Sequence, residues 1–183
     1  MQVSTAEAAW VAGLRRGEPA AFDAVFASYR RRLYGYLVRM TRHRDLAEDL
    51  LQETFLRLAQ SAKQLAPETR IGAWLFTVAH RLVQSWARAQ AVRAQFAGDL
   101  IAPVDPAPRS PLEAATDSEG QRALERALAA LAPAHREVVL LVGVEGLAPS
   151  EVAAILGLRP EAVRQRLARA RAQLAELLAE VRP

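Results

Sequence analysis

The sequence predicts an all-α protein of two small helical domains joined by a flexible acidic linker. Three observations predict it. Apolar residues recur at three- and four-residue spacing over several long stretches, and no stretch alternates as a strand would. Ala, Leu and Arg are plentiful while aromatics make up only 6% of the chain, a composition that favours helix. Residues 94–120 interrupt the helical patterns with Pro103, Pro106, Pro108, Pro111 and Gly98, several acids and few apolar residues.

The elements follow in order. Ser4 and Glu7 have capping-box spacing ahead of Trp10, Val11 and Leu14, and Gly17 can end that first helix. Pro19 suits the first turn of a second helix, with Phe22, Val25, Phe26, Tyr29, Leu33, Leu37 and Met40 on one stripe. A third helix is expected over about 45–60 and a fourth over about 72–92. Beyond the linker, helices are expected over about 121–131, 134–144, 149–156 and 160–180. No fixed-period repeat runs through the chain, which disfavours a solenoid. The expected division is 1–93, linker 94–120, and 121–183.

The 183 residues are 51% hydrophobic and 24% charged, enough for one ordinary domain or two small ones and too apolar for wholesale disorder. The absence of Cys excludes disulfides and thiolate metal sites. The N-terminus lacks a basic-then-apolar leader, and no uncharged apolar run approaches the roughly 20 residues of a membrane helix. A cytoplasmic protein with no membrane insertion is expected. His43, His80 and His135 are not at metal-ligand spacing, and neither a Gly-rich phosphate loop nor a nucleophile elbow is present. Catalysis and a cofactor are therefore not expected.

Net charge is only +4, but its distribution is uneven. Residues 15–44 carry eight Arg against Glu18 and Asp23, and residues 45–60 carry four acids against Arg57. Residues 159–173 then set five Arg against one Glu. Such blocks suit a chain that touches both a polyanion and a basic protein surface, although solvated helix faces give the same pattern.

The sharpest local motif is residues 147–171, LAPSEVAAILGLRPEAVRQRLARAR. Val152, Ile155 and Leu156 give a short helix its inner face, and Gly157 permits a left-handed turn. Pro160 restarts the chain as a helix with Val163, Leu167, Ala170 and Leu174 on one stripe. Two helices across so short a turn cross steeply, the geometry that places a second helix in a major groove. Opposite the stripe lie Glu161, Arg164, Gln165, Ala168 and Arg169. Arg can pair with guanine and Gln with adenine, while Arg166 and Arg171 are better placed for phosphates. A structural hairpin with an Arg-rich exterior is the alternative.

In the third helix, Asp45, Asp49, Gln52 and Glu53 share one arc, opposite Leu46, Leu50, Leu51, Phe55 and Leu58. That arc would repel phosphates and suits a basic protein surface. In the fourth helix, Ile71, Trp74, Leu75, Val78, Leu82 and Trp86 form an apolar stripe opposite Thr77, Arg81, Gln84 and Arg88. At this spacing Trp74 and Trp86 are expected in the core, although stacking on unpaired bases is the alternative. The preceding loop, 61–70, offers Lys63, Gln64, Thr69 and Arg70 to hold an extruded nucleotide.

Residues 45–58, DLAEDLLQETFLRL, and 73–81, AWLFTVAHR, resemble domain two of the extracytoplasmic-function (ECF) sigma factors. Residues 130–141, ALAPAHREVVLL, with the helix-turn-helix motif, resemble their domain four. The resemblance covers roughly two-thirds of the chain, in the family's order. It implies that Asp45, Asp49, Gln52 and Glu53 bind the β′ clamp helices of core RNA polymerase. Lys63, Arg70, Thr77, Arg81, Gln84 and Arg88 would read and open the −10 element of promoter DNA. Arg164, Gln165, Arg166 and Arg169 would read the −35 element as duplex, with domain four against the β flap. The linker would thread near the RNA path, and an anti-sigma factor would sequester the free protein.

Tether length agrees with that reading. The 27 residues of 94–120 reach at most ~90 Å when extended, and two turns of duplex are ~70 Å. The sequence departs from the family pattern at Arg81 and Ser85, where Asn and Asp are usual, and its Arg run is thinned to Arg88 and Arg93. Ala148 replaces the usual Ser cap, at an expected cost of ~1 kcal/mol, and Pro160 falls one position late. Two other readings remain open here: a dimeric helix-turn-helix regulator, or a sigma-like decoy for an anti-sigma protein.

Overall fold

Helix boundaries in this chain are set largely by residues that stop or start a turn. The computed structural model describes residues 5–97 and 119–179, and among these every regular element is helical. The chain divides into two compact units, Met1–Asp105 and Pro106–Pro183.

In the first unit, α1 (Thr5–Arg16) ends at Gly17, whose φ of 77° lies in the left-handed region that glycine enters without a Cβ penalty. The chain re-enters helix at once, with Pro19 in the first turn of α2 (Pro19–Thr41). Arg42 closes α2 in a left-handed conformation, its N–H donating to the Val38 carbonyl at 2.8 Å. The His43 imidazole then accepts a hydrogen bond through Nδ1 from the Leu46 N–H, capping α3 (Arg44–Ser61). A 3-10 turn (Ala62–Gln64) and a short loop lead to α4 (Ile71–Ala97).

The core of this unit lies between α2, α3 and α4. Leu33, Leu37, Leu58, Ile71 and Leu75 are fully buried, and Tyr36 sits edge-on to Phe76 with centroids 5.6 Å apart. Each such side chain contributes about 1.5–3 kcal/mol by leaving water. The expected α2 stripe holds at Val25, Tyr29, Leu33 and Leu37. At its rim Phe26 remains 37% exposed, stacked on Phe22 and tilted over Phe55.

The second unit contains α5 (Glu119–Ala130), α6 (Pro133–Val138), α7 (Pro149–Leu156) and α8 (Pro160–Ala179). Buried Arg136 ties α5 to α6 by donating to the carbonyls of Leu128, Ala129 and Leu131 at 2.8–2.9 Å, so one cation satisfies the α5 C-terminus. The expected single helix over 134–144 is corrected: Val139–Val144 is a π-helix continuing α6. Residues 136–141 are all buried, so hydrophobic period carries no information about turn width there.

The segment expected to be linker is helical at both edges, since α4 continues to Ala97 and α5 begins at Glu119. Its remainder, like Ser4 of the expected capping box, lies outside the described residues.

Candidate functional site

The acidic face lies on α3, and its exposure follows from the helix's packing. Ala47, Leu51, Thr54, Phe55 and Leu58 are buried. This rotation leaves Asp45, Asp49 and Gln52 exposed along one side. Glu53 is half-buried at the edge of that face, where it accepts from Arg57 Nε at 2.7 Å. The sequence pattern had not singled out Leu56, which is 51% exposed one turn beyond Gln52 on the same side. An apolar side chain in water amid carboxylates gives the face a contact that pure electrostatics would lack.

Between α3 and α4 the loop is anchored by buried Ala62 and Leu65, with Lys63 and Gln64 exposed beside them. A turn closed by the Thr69 N–H on the Ala66 carbonyl delivers half-buried Thr69 and Arg70 to the start of α4. Trp74 N–H donates to the Arg70 carbonyl at 2.9 Å, which places Arg70 at the helix N-cap.

The α4 wheel differs from the expected one. Its buried side is Ile71, Leu75, Phe76, Val78, Ala79, Leu82 and Val83. That side is rotated away from Trp74, while Trp86 stays on it further along the helix; neither tryptophan is in the core, and both are half-buried. At 100° per residue, Trp74 falls beside Arg81, Arg88 and Thr77 on the outer side. Arg81 and Arg88 are exposed, while Thr77 and Gln84 are half-buried. Thr77 Oγ1 donates to the Ala73 carbonyl at 2.7 Å, leaving its oxygen as an acceptor toward the outside. One outer face thus combines an indole, a hydroxyl and two guanidinium groups. Stacking plus cations is the chemistry that holds unpaired bases.

In the second unit, Val152, Ala153 and Ile155 of α7 are buried, and Gly157 turns the chain at φ 65° with the Leu158 N–H on the Ala153 carbonyl. The missing Ser cap is partly offset. The Glu151 carboxylate accepts from the Ala148 N–H at 2.9 Å, one half of a capping box. In α8, Val163, Leu167 and Ala170 face inward. Glu161, Arg164, Gln165, Ala168 and Arg169 are all exposed on the other side, as the stripe implied, and Arg166 is half-buried at its edge. Arg164 Nη2 donates to Glu161 Oε1 at 2.6 Å. The Glu161 carboxyl is held below its ordinary range, first by a backbone hydrogen bond at the helix start and then by Arg164. Both side chains are more than half exposed, so this pair orients Arg164 more than it stabilises the fold.

Among the described residues no group of His, Asp and Glu is arranged to hold a metal ion, and no helix is long and apolar enough to cross a membrane.

Comparison with known proteins places segments of both units in one family. Residues 25–93 match sigma-70 region 2, and residues 121–174 match sigma-70 region 4. The chain is 38% identical over 169 residues to the RNA polymerase sigma factor CarQ of Myxococcus xanthus, covering 91% of this chain and 94% of that protein. It is 30% identical to the ECF RNA polymerase sigma factor SigL of Mycobacterium tuberculosis, covering 86% and 88%. In structure it is similar to the sigma factor RpoE of Bartonella quintana in a complex with the anti-sigma factor NepR. The TM-score there is 0.74 at 26% identity, over 86% of this chain and 96% of that one. The chain belongs to the ECF group of RNA polymerase sigma factors, the proteins that direct transcription initiation.

Proposed function

We propose that the two faces divide the work of initiation between two domains, 1–93 and 121–183, tethered by 94–120. Asp45, Asp49, Gln52 and Glu53, with Leu56 among them, form the surface for the β′ clamp helices of core RNA polymerase. Lys63, Arg70, Thr77, Arg81, Gln84 and Arg88, with Trp74, take hold of the −10 element as its strands separate. Arg164, Gln165, Arg166 and Arg169 read the −35 element as duplex while the β flap holds this domain. The single observation that carries this reading is the separation of charge by helix: α3 exposes carboxylates, and α8 exposes Arg164, Gln165 and Arg169 across a helix-turn-helix.

Within the α8 face the N-terminal residues sit where base edges are read. Arg166, half-buried at the edge of that face, is placed for backbone phosphates. The protein acts without chemistry of its own, in the cytoplasm, and without a cofactor. The similarity to a sigma factor held by NepR supports an anti-sigma factor as the partner of the free protein. Such a partner would cover the surfaces that polymerase and DNA need.

Run-off transcription tests the reading. The purified chain with cognate core polymerase should yield transcripts from a discrete set of upstream fragments, and core alone should yield none. Absence of product from every fragment would overturn it.

A further inference from the structure

Helix α4 begins in an unusual way. Its N-cap residue is Arg70, whose side chain has no acceptor to offer the first-turn amides. The acceptor comes instead from α1, 65 residues away: Glu7 Oε1 accepts from the Gly72 N–H at 3.3 Å. The same oxygen accepts from the Tyr29 hydroxyl at 2.8 Å. Glu7, at capping-box spacing from Ser4 in its own helix, thus contacts two other helices. The clasp is tightly built, since a Cβ on Gly72 would stand 2.8 Å from the Tyr29 hydroxyl oxygen. Trp10 meets the Tyr29 ring edge-on, and the Arg32 guanidinium lies 5.1 Å over it. Burial, then the Glu7 hydrogen bond, pushes the Tyr29 phenol well above its ordinary pKa, so it stays a donor.

The same helix also braces the other end of the loop. Through buried Val11 and Leu14, α1 packs on α2, and it contacts the 3-10 turn Ala62–Gln64 that opens the loop carrying Lys63 and Arg70. Both ends of that loop are thus held by α1, which lies ahead of the segment matching sigma-70 region 2.

We propose that Glu7 is a positioning residue for promoter opening: with Tyr29 it fixes the start of α4, and hence the 65–70 loop and Trp74, in the arrangement that accepts an extruded base. A carboxylate on a first-turn amide also complements the positive end of the helix, so the clasp stabilises the start of α4 without touching DNA. This inference rests on the assignment of α4 to the −10 element.

The test uses full-length protein with core polymerase, on a fragment that the wild-type holoenzyme transcribes. The same fragment with a non-complementary bubble across its −10 element serves as the comparison. Glu7→Ala should slow opening of the duplex about tenfold, the order a lost charged cap is worth, with core affinity unchanged. On the bubble it should lie within about twofold of wild type, because the strands need no capture. Glu7→Gln, which keeps an acceptor oxygen, should fall between. Tyr29→Phe keeps the ring packing and removes only the hydroxyl, and should show the same pattern more weakly. An equal deficit on duplex and bubble, a matching loss of core affinity, or wild-type opening by Glu7→Ala would each overturn the proposal. Thr77→Ala combined with Arg81→Ala separates the two claims. Wild-type opening by that variant sinks the −10 assignment itself, whereas slow opening there beside an unaffected Glu7→Ala sinks the clasp alone.

Discussion

Helices α4 and α8, to which we assign comparable tasks, begin by opposite means. Helix α8 is launched locally: Gly157 turns the chain, and Pro160 restarts it three residues later. Helix α4 has no such local device, and its first turn is completed by Glu7 from α1. A locally specified start lets the proposed reading face of the second unit begin without a contact from a distant segment, although α8 also packs on α5 and α6. A start specified at a distance ties the first unit's nucleic-acid face to whether α1 is docked. Rigid presentation suits a duplex whose groove already exists, while the −10 task requires protein and DNA to change together.

Substitutions on each side can break this comparison, and they rank by expected effect. Asp49→Ala combined with Glu53→Ala should weaken core polymerase binding by at least about tenfold, because truncating charged interface pairs costs several kcal/mol. Binding of −35 duplex by the second unit should be unaffected. Equilibrium titration of labelled core, beside a duplex-binding assay, reads both. Next in size, Arg164→Ala should cost about 1–3 kcal/mol of −35 binding and relax preference at one base pair, whereas Arg166→Ala should weaken all sequences alike and reduce the salt slope by about one. If both variants change only overall affinity, the division of α8 into base and phosphate contacts fails.

Stability changes should be smaller. Gly157→Ala forces a Cβ into the left-handed region at about 1–2 kcal/mol, and calorimetry should show it in the second unit's transition only. An unchanged melt would mean that the turn is not held at φ 65° in solution. The smallest effect concerns Tyr29. Its folded pKa lies above the unfolded value of about 10, so its contribution is complete below that pH and is lost as pH rises toward the folded value. Thermal melts at pH above about 10 should therefore decline more steeply for wild type than for Tyr29→Phe.

The same contrast explains what could be read in advance. Pro19, Gly17, Gly157 and Pro160 act on their own neighbours, and each element boundary they imply is found within a few residues. The acidic and Arg-rich faces were legible for a similar reason, since wheel position follows from spacing once one side is apolar. What escaped the sequence depends on contacts between elements. Trp74 looks like core on a wheel drawn from hydrophobicity. Buried Phe76, Ala79 and Val83 turn α4 away from that wheel and bring the indole toward Arg81. Leu56 falls in the middle of the acidic arc of α3, away from its apolar stripe, and is 51% exposed there. The π-helical turn over Val139–Val144 begins within residues 136–141, which are all buried, so periodicity is silent where the turn widens. Glu7 was visible only as a capping residue of its own helix, because its partners stand 22 and 65 residues away.

Under the proposed assignment of α4, Arg81 and Ser85, where the family pattern has Asn and Asp, bear on the −10 element. Arg81 is exposed on the outer side of α4 beside Trp74, and Ser85 is exposed one turn further. An added cation where an amide is usual favours backbone phosphate over hydrogen-bond readout of a base edge. Promoters of this factor should accordingly tolerate more variation in the −10 element than in the −35 element.

The central claim is that α3 serves the polymerase and α8 serves duplex DNA. It is tested most directly by competition for core polymerase between the wild-type chain and two double variants, Asp49→Ala with Glu53→Ala and Arg164→Ala with Arg169→Ala. The division predicts that the first fails to compete, while the second competes as well as wild type and loses only promoter-directed transcription. Equal loss of core binding by both variants would contradict it.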